Sequence, residues 1–223
     1  MADIYEEGFS ISKTLDSCYI ITGSGYGAYL FKINEDGDSL WARTYVDSSG
    51  FGWGFDVSLT SDSGYVIVGY TFEPINYNLA LYLVKIDANG DTLWTKTYSG
   101  NNNYNYGAEG YSVRQTNDGG FIVVGSINED DIDWNSWIYL MKTDANGDTL
   151  WTKIFKGVSD VPYLKDAAYC VQQTNDGGFI IAGQKYISGI SGYDVFVIKT
   201  DSLGYVYEYY VGDTGYDDFN FNF

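Results

Sequence analysis

Oxygen ligands at alternating positions are the first arrangement in this sequence with a chemistry attached. Asp87-x-Asn89-x-Asp91 and Asp144-x-Asn146-x-Asp148 each place three of them, as the opening of a calcium loop does. No later acidic residue closes either loop, because Thr-Leu-Trp follows in both, and a hairpin turn accounts for the same letters. The cluster Glu129-Asp130-Asp131-x-Asp133 is a second place for calcium, with a solvated charged loop as its default reading. No other cofactor is implied. The sequence has no histidine, which removes the commonest general base and metal ligand. It has no Gly-x-Ser-x-Gly elbow, phosphate loop or paired-cysteine metal motif. Its 30 acidic residues allow a glycosidase-like couple of carboxylates, yet no pair stands out. The expectation is that the chain is not an enzyme.

Binding chemistry has more to work with. Trp53, Tyr77, Tyr104, Tyr106, Trp134 and Tyr163 fall in irregular segments among Asn and Gly. Aromatic faces beside amides suit stacking on sugar rings, and they suit protein contacts equally well. Packing on the sheet ends beneath them is the plainer alternative. At the far end, Phe219-Asn220-Phe221-Asn222-Phe223 alternates strictly and reads as a strand with one aromatic face. Such a strand adds to an open sheet edge, either of its own molecule or of a neighbour in head-to-tail self-association.

Charge removes other classes. Twelve basic against 30 acidic residues leave a net charge of −18, so nucleic acid and anionic membranes are repelled. No 18-residue apolar run exists, so no membrane insertion is expected. Met1-Ala2-Asp3-Ile4 does not open a basic and apolar leader, so no secretory signal is read there. The two cysteines, Cys18 and Cys170, occupy no repeated position, and two buried reduced thiols are expected rather than a bridge.

The elements that must position these groups repeat. Asp144-Ala145-Asn146-Gly147-Asp148-Thr149-Leu150-Trp151-Thr152-Lys153 recurs almost unchanged at 87–96, and in degraded form at 34–43 and 201–210. Subtracting positions, Gly37, Gly90, Gly147 and Gly204 lie 53, 57 and 57 residues apart, a repeat architecture. One period holds four strand-like runs. In the third they are 110–116, 121–125, 137–142 and 149–155, joined by Gly-containing turns and one variable loop. The second runs, such as Phe121-Ile122-Val123-Val124, do not alternate with polar residues, so both their faces should be covered. Each ends in a glycine (Gly23, Gly69, Gly125, Gly183), where a side chain would meet a neighbouring backbone.

Four-stranded sheets that cover one another are blades of a β-propeller, with a β-solenoid as the structural alternative. The sequence predicts one all-β domain over 1–223, with blades at about 9–45, 55–98, 111–155 and 169–211 and an extra strand at 217–223. Apolar second strands in all four predict a ring closed within the chain, or two chains sharing a larger one. Antiparallel meanders put the short turns at one end of every blade and the irregular connections at the other, so a site belongs at the second end.

Gly110-Tyr111-Ser112-Val113-x-Gln115-Thr116-Asn117-Asp118-Gly119-Gly120-Phe121-Ile122 and Lys142-Thr143-Asp144-Ala145-Asn146-Gly147-Asp148-Thr149-Leu150-Trp151-Thr152-Lys153 resemble the β-propeller repeats of bacterial secreted and cell-surface proteins. The resemblance implies a non-enzymatic extracellular propeller and names no ligand. The functional expectation is a structural or adhesive interaction module outside the cell, partnered by itself or by other surface proteins and glycans. A glycan-binding lectin that uses the aromatic loops is the alternative.

Overall fold

The computed structural model of the chain describes residues 6–47, 49–74, 77–99, 107–128, 135–156, 163–187 and 192–211. Among these the fold is all-β. Strands β1 (Glu7–Lys13), β2 (Tyr19–Ser24), β3 (Ala28–Ile33) and β4 (Ser39–Tyr45) form a first antiparallel meander. A second holds β5 (Trp53–Leu59), β6 (Tyr65–Phe72), β7 (Leu79–Ile86) and β8 (Thr92–Tyr98). A third holds β9 (Ala108–Gln115), β10 (Phe121–Asn128), β11 (Ser136–Thr143) and β12 (Thr149–Phe155). The fourth holds β13 (Ala167–Gln173), β14 (Phe179–Ile187), β15 (Gly192–Thr200) and β16 (Val206–Val211). A single pairing, Ser24 with Trp53, joins the first two meanders into one eight-stranded sheet.

The turn residues do what their chemistry dictates. Gly147 sits at φ 80° in the β11–β12 turn, where the Asp144 carboxylate accepts the N–H groups of Asn146 and Asp148, each at 2.8 Å. The equivalent Asp87 accepts from Asn89 at 2.8 Å and Asp91 at 2.9 Å. The first carboxylate of each run that reads as a calcium loop thus accepts the amides of its own hairpin turn.

At the first turn of each meander, a lysine from the third strand reaches an aspartate. Lys32 meets Asp16 at 2.6 Å, Lys85 meets Asp62 at 2.8 Å, and Lys142 and Lys199 meet Asp118 and Asp176 at 2.9 Å. A threonine hydroxyl two residues earlier donates to the same aspartate, as Thr60 does to Asp62 at 2.5 Å. The Lys32 hydrogen bond, with help from Thr14, brings the Asp16 carboxyl down to about 2. At Asp62 and Asp118 burial pushes the other way, and the lysine and threonine hydrogen bonds outweigh it to reach about 2 again.

The second-strand glycines are steric necessities. A methyl group on Gly125 would lie 1.8 Å from the carbonyl oxygen of Glu109, and one on Gly69 1.7 Å from that of Trp53. Each closeness marks a β-bulge in the first strand, where Phe9, Phe55, Tyr111 and Tyr169 are the extra residues.

The core lies in the seams between successive meanders. Ile20, Ala28 and Leu30 pack on Tyr65, Ile67, Tyr82 and Val84. Val66, Val68, Leu81 and Leu83 pack on Phe121, Val123, Tyr139 and Met141. Ile122, Val124, Ile138 and Leu140 pack on Phe179, Ile181, Phe196 and Ile198. The two end faces are not buried in this way. Ile180 is 41% and Val195 58% exposed, where their counterparts Ile122 and Ile138 are at 0%. Tyr19, Ile21, Tyr29 and Phe31 on the first meander are only half-buried. The first strands pack in succession, β1 on β5, β5 on β9 and β9 on β13, and β13 does not return onto β1 in the same way. Among the described residues the expected ring closed within one chain is therefore not formed, and the end faces of the first and fourth meanders are partly exposed.

Both cysteines are free, as expected, but they are not buried: Cys18 is half-buried and Cys170 exposed on β13.

Candidate functional site

The bulged aromatics form a row along the first strands. Phe9 meets Phe55 at 5.1 Å between ring centroids, Phe55 meets Tyr111 at 5.5 Å, and Tyr111 meets Tyr169 at 5.4 Å. One residue further on, Asp56 binds the inner strands together. Its carboxylate accepts from Ser10 Oγ at 2.8 Å, Ser112 Oγ and the Val113 amide at 3.1 Å, and Arg114 Nη1 at 2.5 Å. One donor reaches Oδ1 and three reach Oδ2, so Asp56 holds three strands together.

A cavity of about 140 Å³ opens at the loop end, between the third and fourth meanders. Glu109, Tyr111 and Tyr169 line it together with Ser126, Asn128 and Lys165. Glu109 and Tyr111 are two apart on β9 and point to the same side. The Tyr111 hydroxyl donates to Glu109 Oε2 and lies 3.5 Å from Ser126 Oγ. Burial first, and the Glu109 charge second, push the Tyr111 hydroxyl far above the usual tyrosine range, so it stays a donor at neutral pH. The Tyr169 ring is half exposed and faces the opening.

The wall on the β13 side is fixed from behind. Ser136 and Lys165 form a parallel bridge; the Leu164 amide donates to Asn135 Oδ1 at 2.8 Å, and the Lys165 amide to the Tyr193 hydroxyl at 2.7 Å. Next to Lys165, the Asp166 carboxylate is 1% exposed and accepts the Tyr186 amide at 2.8 Å. Burial raises its carboxyl to about 6, against the opposing pull of that amide and of Lys185. Burial likewise lowers the Lys185 ammonium, with Asp166 pulling the other way.

The aromatic residues singled out in the sequence fall elsewhere. Trp53 stacks on Tyr70 at 4.7 Å and meets Phe72 edge-on at 5.7 Å, an aromatic pack on the first two meanders. Tyr77 and Tyr163 are 74% and 67% exposed, both at positive φ, and neither lines the cavity. Tyr104, Tyr106 and Trp134 lie outside the described residues, as does the strand of Phe219, Phe221 and Phe223. In sequence, Tyr106 immediately precedes Gly107 and Trp134 stands two before Ser136, both cavity-lining positions. Sequence reasoning missed Glu109, Tyr111 and Tyr169 because it looked only in loops. The available signal was a Gly- or Ala-preceded aromatic at the same place in every repeat: Phe9, Phe55, Tyr111 and Tyr169.

No protein-family model matches the chain, and no curated protein matches it. Solved structures do. A protein of unknown function from Bacteroides caccae aligns at a TM-score of 0.58 and 14% identity, covering 95% of this chain and 69% of that one. The endo-arabinase of Bacteroides thetaiotaomicron aligns at 0.58 and 12%, covering 92% and 79%. The α-L-arabinanase of Penicillium chrysogenum, solved with arabinobiose, aligns at 0.61 and 10%, covering 90% and 65%. The fold is β-propeller-like. The shared scaffold carries arabinan-processing enzymes, which overturns two expectations: that the chain is not an enzyme, and that it is a non-catalytic structural or adhesive module assembling head-to-tail. The absence of histidine was a weak argument, because glycoside hydrolysis runs on carboxylates alone.

Proposed function

We propose that the chain is a carbohydrate-active enzyme of the glycoside-hydrolase kind, working outside the cell on an open four-bladed propeller formed by its four meanders. The observation that carries this reading is the Glu109 carboxylate, set in a cavity beside the rings of Tyr111 and Tyr169. Aromatic faces hold a sugar ring by its apolar side, and the carboxylate then sits beside the ring's substituents. Hydrolysis of a glycosidic bond takes two carboxyl groups, one that protonates the leaving oxygen and one that attacks the anomeric carbon or activates water. We assign Glu109 one of these two roles. The neutral Tyr111 hydroxyl keeps the Glu109 carboxylate oriented, and Lys165 balances charge at the rim. Likeness to the two arabinan-processing structures makes arabino-oligosaccharide the substrate class to try first.

The test is sugar release from arabinan and arabinobiose. The chain should cleave at least one of them, and Glu109→Gln should reduce turnover by about 10²- to 10⁴-fold, the usual contribution of a positioned proton-transfer group. A chain that cleaves neither, or a Glu109→Gln variant as active as the parent, would overturn the reading.

A further inference from the structure

The three seams inside the chain are made from the same parts. The tryptophan of one blade's fourth strand lies beneath the glycine of the next blade's last turn. A methyl group on Gly90 would stand 3.3 Å from the Trp41 ring, on Gly147 3.0 Å from Trp94, and on Gly204 2.8 Å from Trp151. A cation reaches the same turn: Lys96 pairs with Asp148 at 2.7 Å, and Lys153 stands 3.7 Å over the Tyr205 ring. Tyrosine hydroxyls complete two of the seams, Tyr45 donating to the Gly90 carbonyl at 2.8 Å and Tyr98 to that of Gly147. Gly90, Gly147 and Gly204 are buried as a result.

The first blade carries the receiving half of this joint, and among the described residues nothing fills it. Gly37 holds the same turn at φ 90°, is exposed, and has open space where the indole belongs. Asp38 stands where Asp91 and Asp148 stand, also exposed. Beside the turn, Tyr19, Ile21, Tyr29 and Phe31 wait half-covered, where Phe121, Val123, Tyr139 and Met141 are buried.

A second copy of this chain lacks the matching half. Its three tryptophan strands are already engaged in its own seams. Its last strand, β16, pairs Glu208 with Lys199 at the register where Trp41, Trp94 and Trp151 pair with Lys32, Lys85 and Lys142. Tyr210 replaces the following cation. A glutamate offered to a turn holding Asp36 and Asp38 is repelled rather than held. Of the matched solved structures, 21% of the endo-arabinase chain (100 − 79) and 35% of the arabinanase chain (100 − 65) have no counterpart in this chain.

We propose that the leading face of the first blade is a docking surface for a partner blade of this same repeat type, whose outer strand carries Trp-x-Lys or Trp-x-Arg. The aromatic ring fills the space over Gly37, the cation pairs with Asp38, and the partner's apolar face covers Tyr19, Ile21, Tyr29 and Phe31. This surface is separate from the cavity at Glu109, so it stands or falls independently of the enzymatic reading.

The test adds a blade. A second copy of residues 107–165 is joined ahead of Glu6 in the full chain, and a control carries Trp151→Glu and Lys153→Tyr in the added copy only. The intact copy should raise the unfolding midpoint by about 5 °C or more, protect the 34–38 amides from hydrogen exchange and suppress binding of an apolar dye; the control should do none of these. Equal behaviour of the two, or no gain from the intact copy, overturns the proposal. So does a stable homodimer of the unextended chain that protects the 34–38 amides. A second variant needs no added blade: Trp94→Glu with Lys96→Tyr in the unextended chain should open the amides around Gly147 to exchange. If that seam stays closed, the Trp-x-Lys pair is not what joins blades and the proposal fails.

Discussion

The two ends of the blades differ in what they repeat. At the turn end every blade has the same parts: a lysine on an aspartate, a threonine on that aspartate, and a glycine at positive φ in the last turn. At the loop end the residue two before each bulged aromatic is not uniform: Glu7, Trp53, Glu109 and Ala167. Around Glu109 that end encloses a cavity that joins a carboxylate to two aromatic rings. A repeated scaffold keeps the parts that make blades pack, and differences between blades are free to gather where ligands are met. Stability and activity should therefore separate by end.

The sharpest way to break that separation is Trp94→Ala at the turn end. Trp94 meets Phe121 edge-on at 5.8 Å and supports Gly147 of the next blade. Its loss should cost about 3–5 kcal/mol in chemical unfolding, and residual folded protein should keep its activity. A variant that loses activity while its unfolding curve stays in place would put the tryptophan in the site.

Lys142→Ala comes next. The lysine side chain is buried, donates to Asp118 at 3.0 Å and to the Thr143 carbonyl at 2.8 Å, and fixes the third blade's first turn. About 1–3 kcal/mol of stability should go with it, again without a change in substrate affinity.

Acid should act on the same clamps. A carboxyl whose folded pKa is depressed to about 2, as at Asp16, Asp62 and Asp118, adds stability that is present above its unfolded value near 3.8 and is lost as pH falls toward 2. Asp166 has the opposite sign. Its folded value near 6 means its contribution is complete below about 3.8 and is lost as pH rises through 6. Thermal unfolding followed against pH should therefore show a steep loss below 4 and a shallow decline between 4 and 6. Asp166→Asn should remove the shallow part alone.

The smallest effect on stability belongs to the loop end. Tyr169→Ala removes a half-exposed ring and should change stability by about 0.5 kcal/mol or less, while binding of an arabino-oligosaccharide weakens measurably in calorimetry. Unchanged binding would mean that the Tyr111 ring alone carries the sugar, and would narrow the site to β9.

Much of the scaffold was legible because its causes are local. Gly147 at positive φ, Gly125 pressed on the Glu109 carbonyl and the doubly covered run Phe121–Val124 each follow from one residue's sterics or from a period of two. The repeat of four strands follows from the same local letters. The cavity was not legible, for a definite reason. Tyr111 is the extra residue of a bulge, so the parity of the later part of β9 does not carry back to Tyr111 and Glu109. Tyr111 and Tyr169 are 58 residues apart by subtraction, and only the packing of β9 on β13 brings their rings to 5.4 Å.

Closure was decided at the same level. The apolar second strands state that every blade wants a neighbour on both faces, and they say it as firmly for Ile180 as for Ile122. Whether the first and last faces meet depends on the angle gained at each seam, summed over three seams, and no single residue encodes that sum. The sequence by itself determined the blades, their turns and the joint that links them. The tertiary structure alone decided that the arc stays open among the described residues and that Tyr169, distant in the chain, shares a cavity with Glu109 and Tyr111.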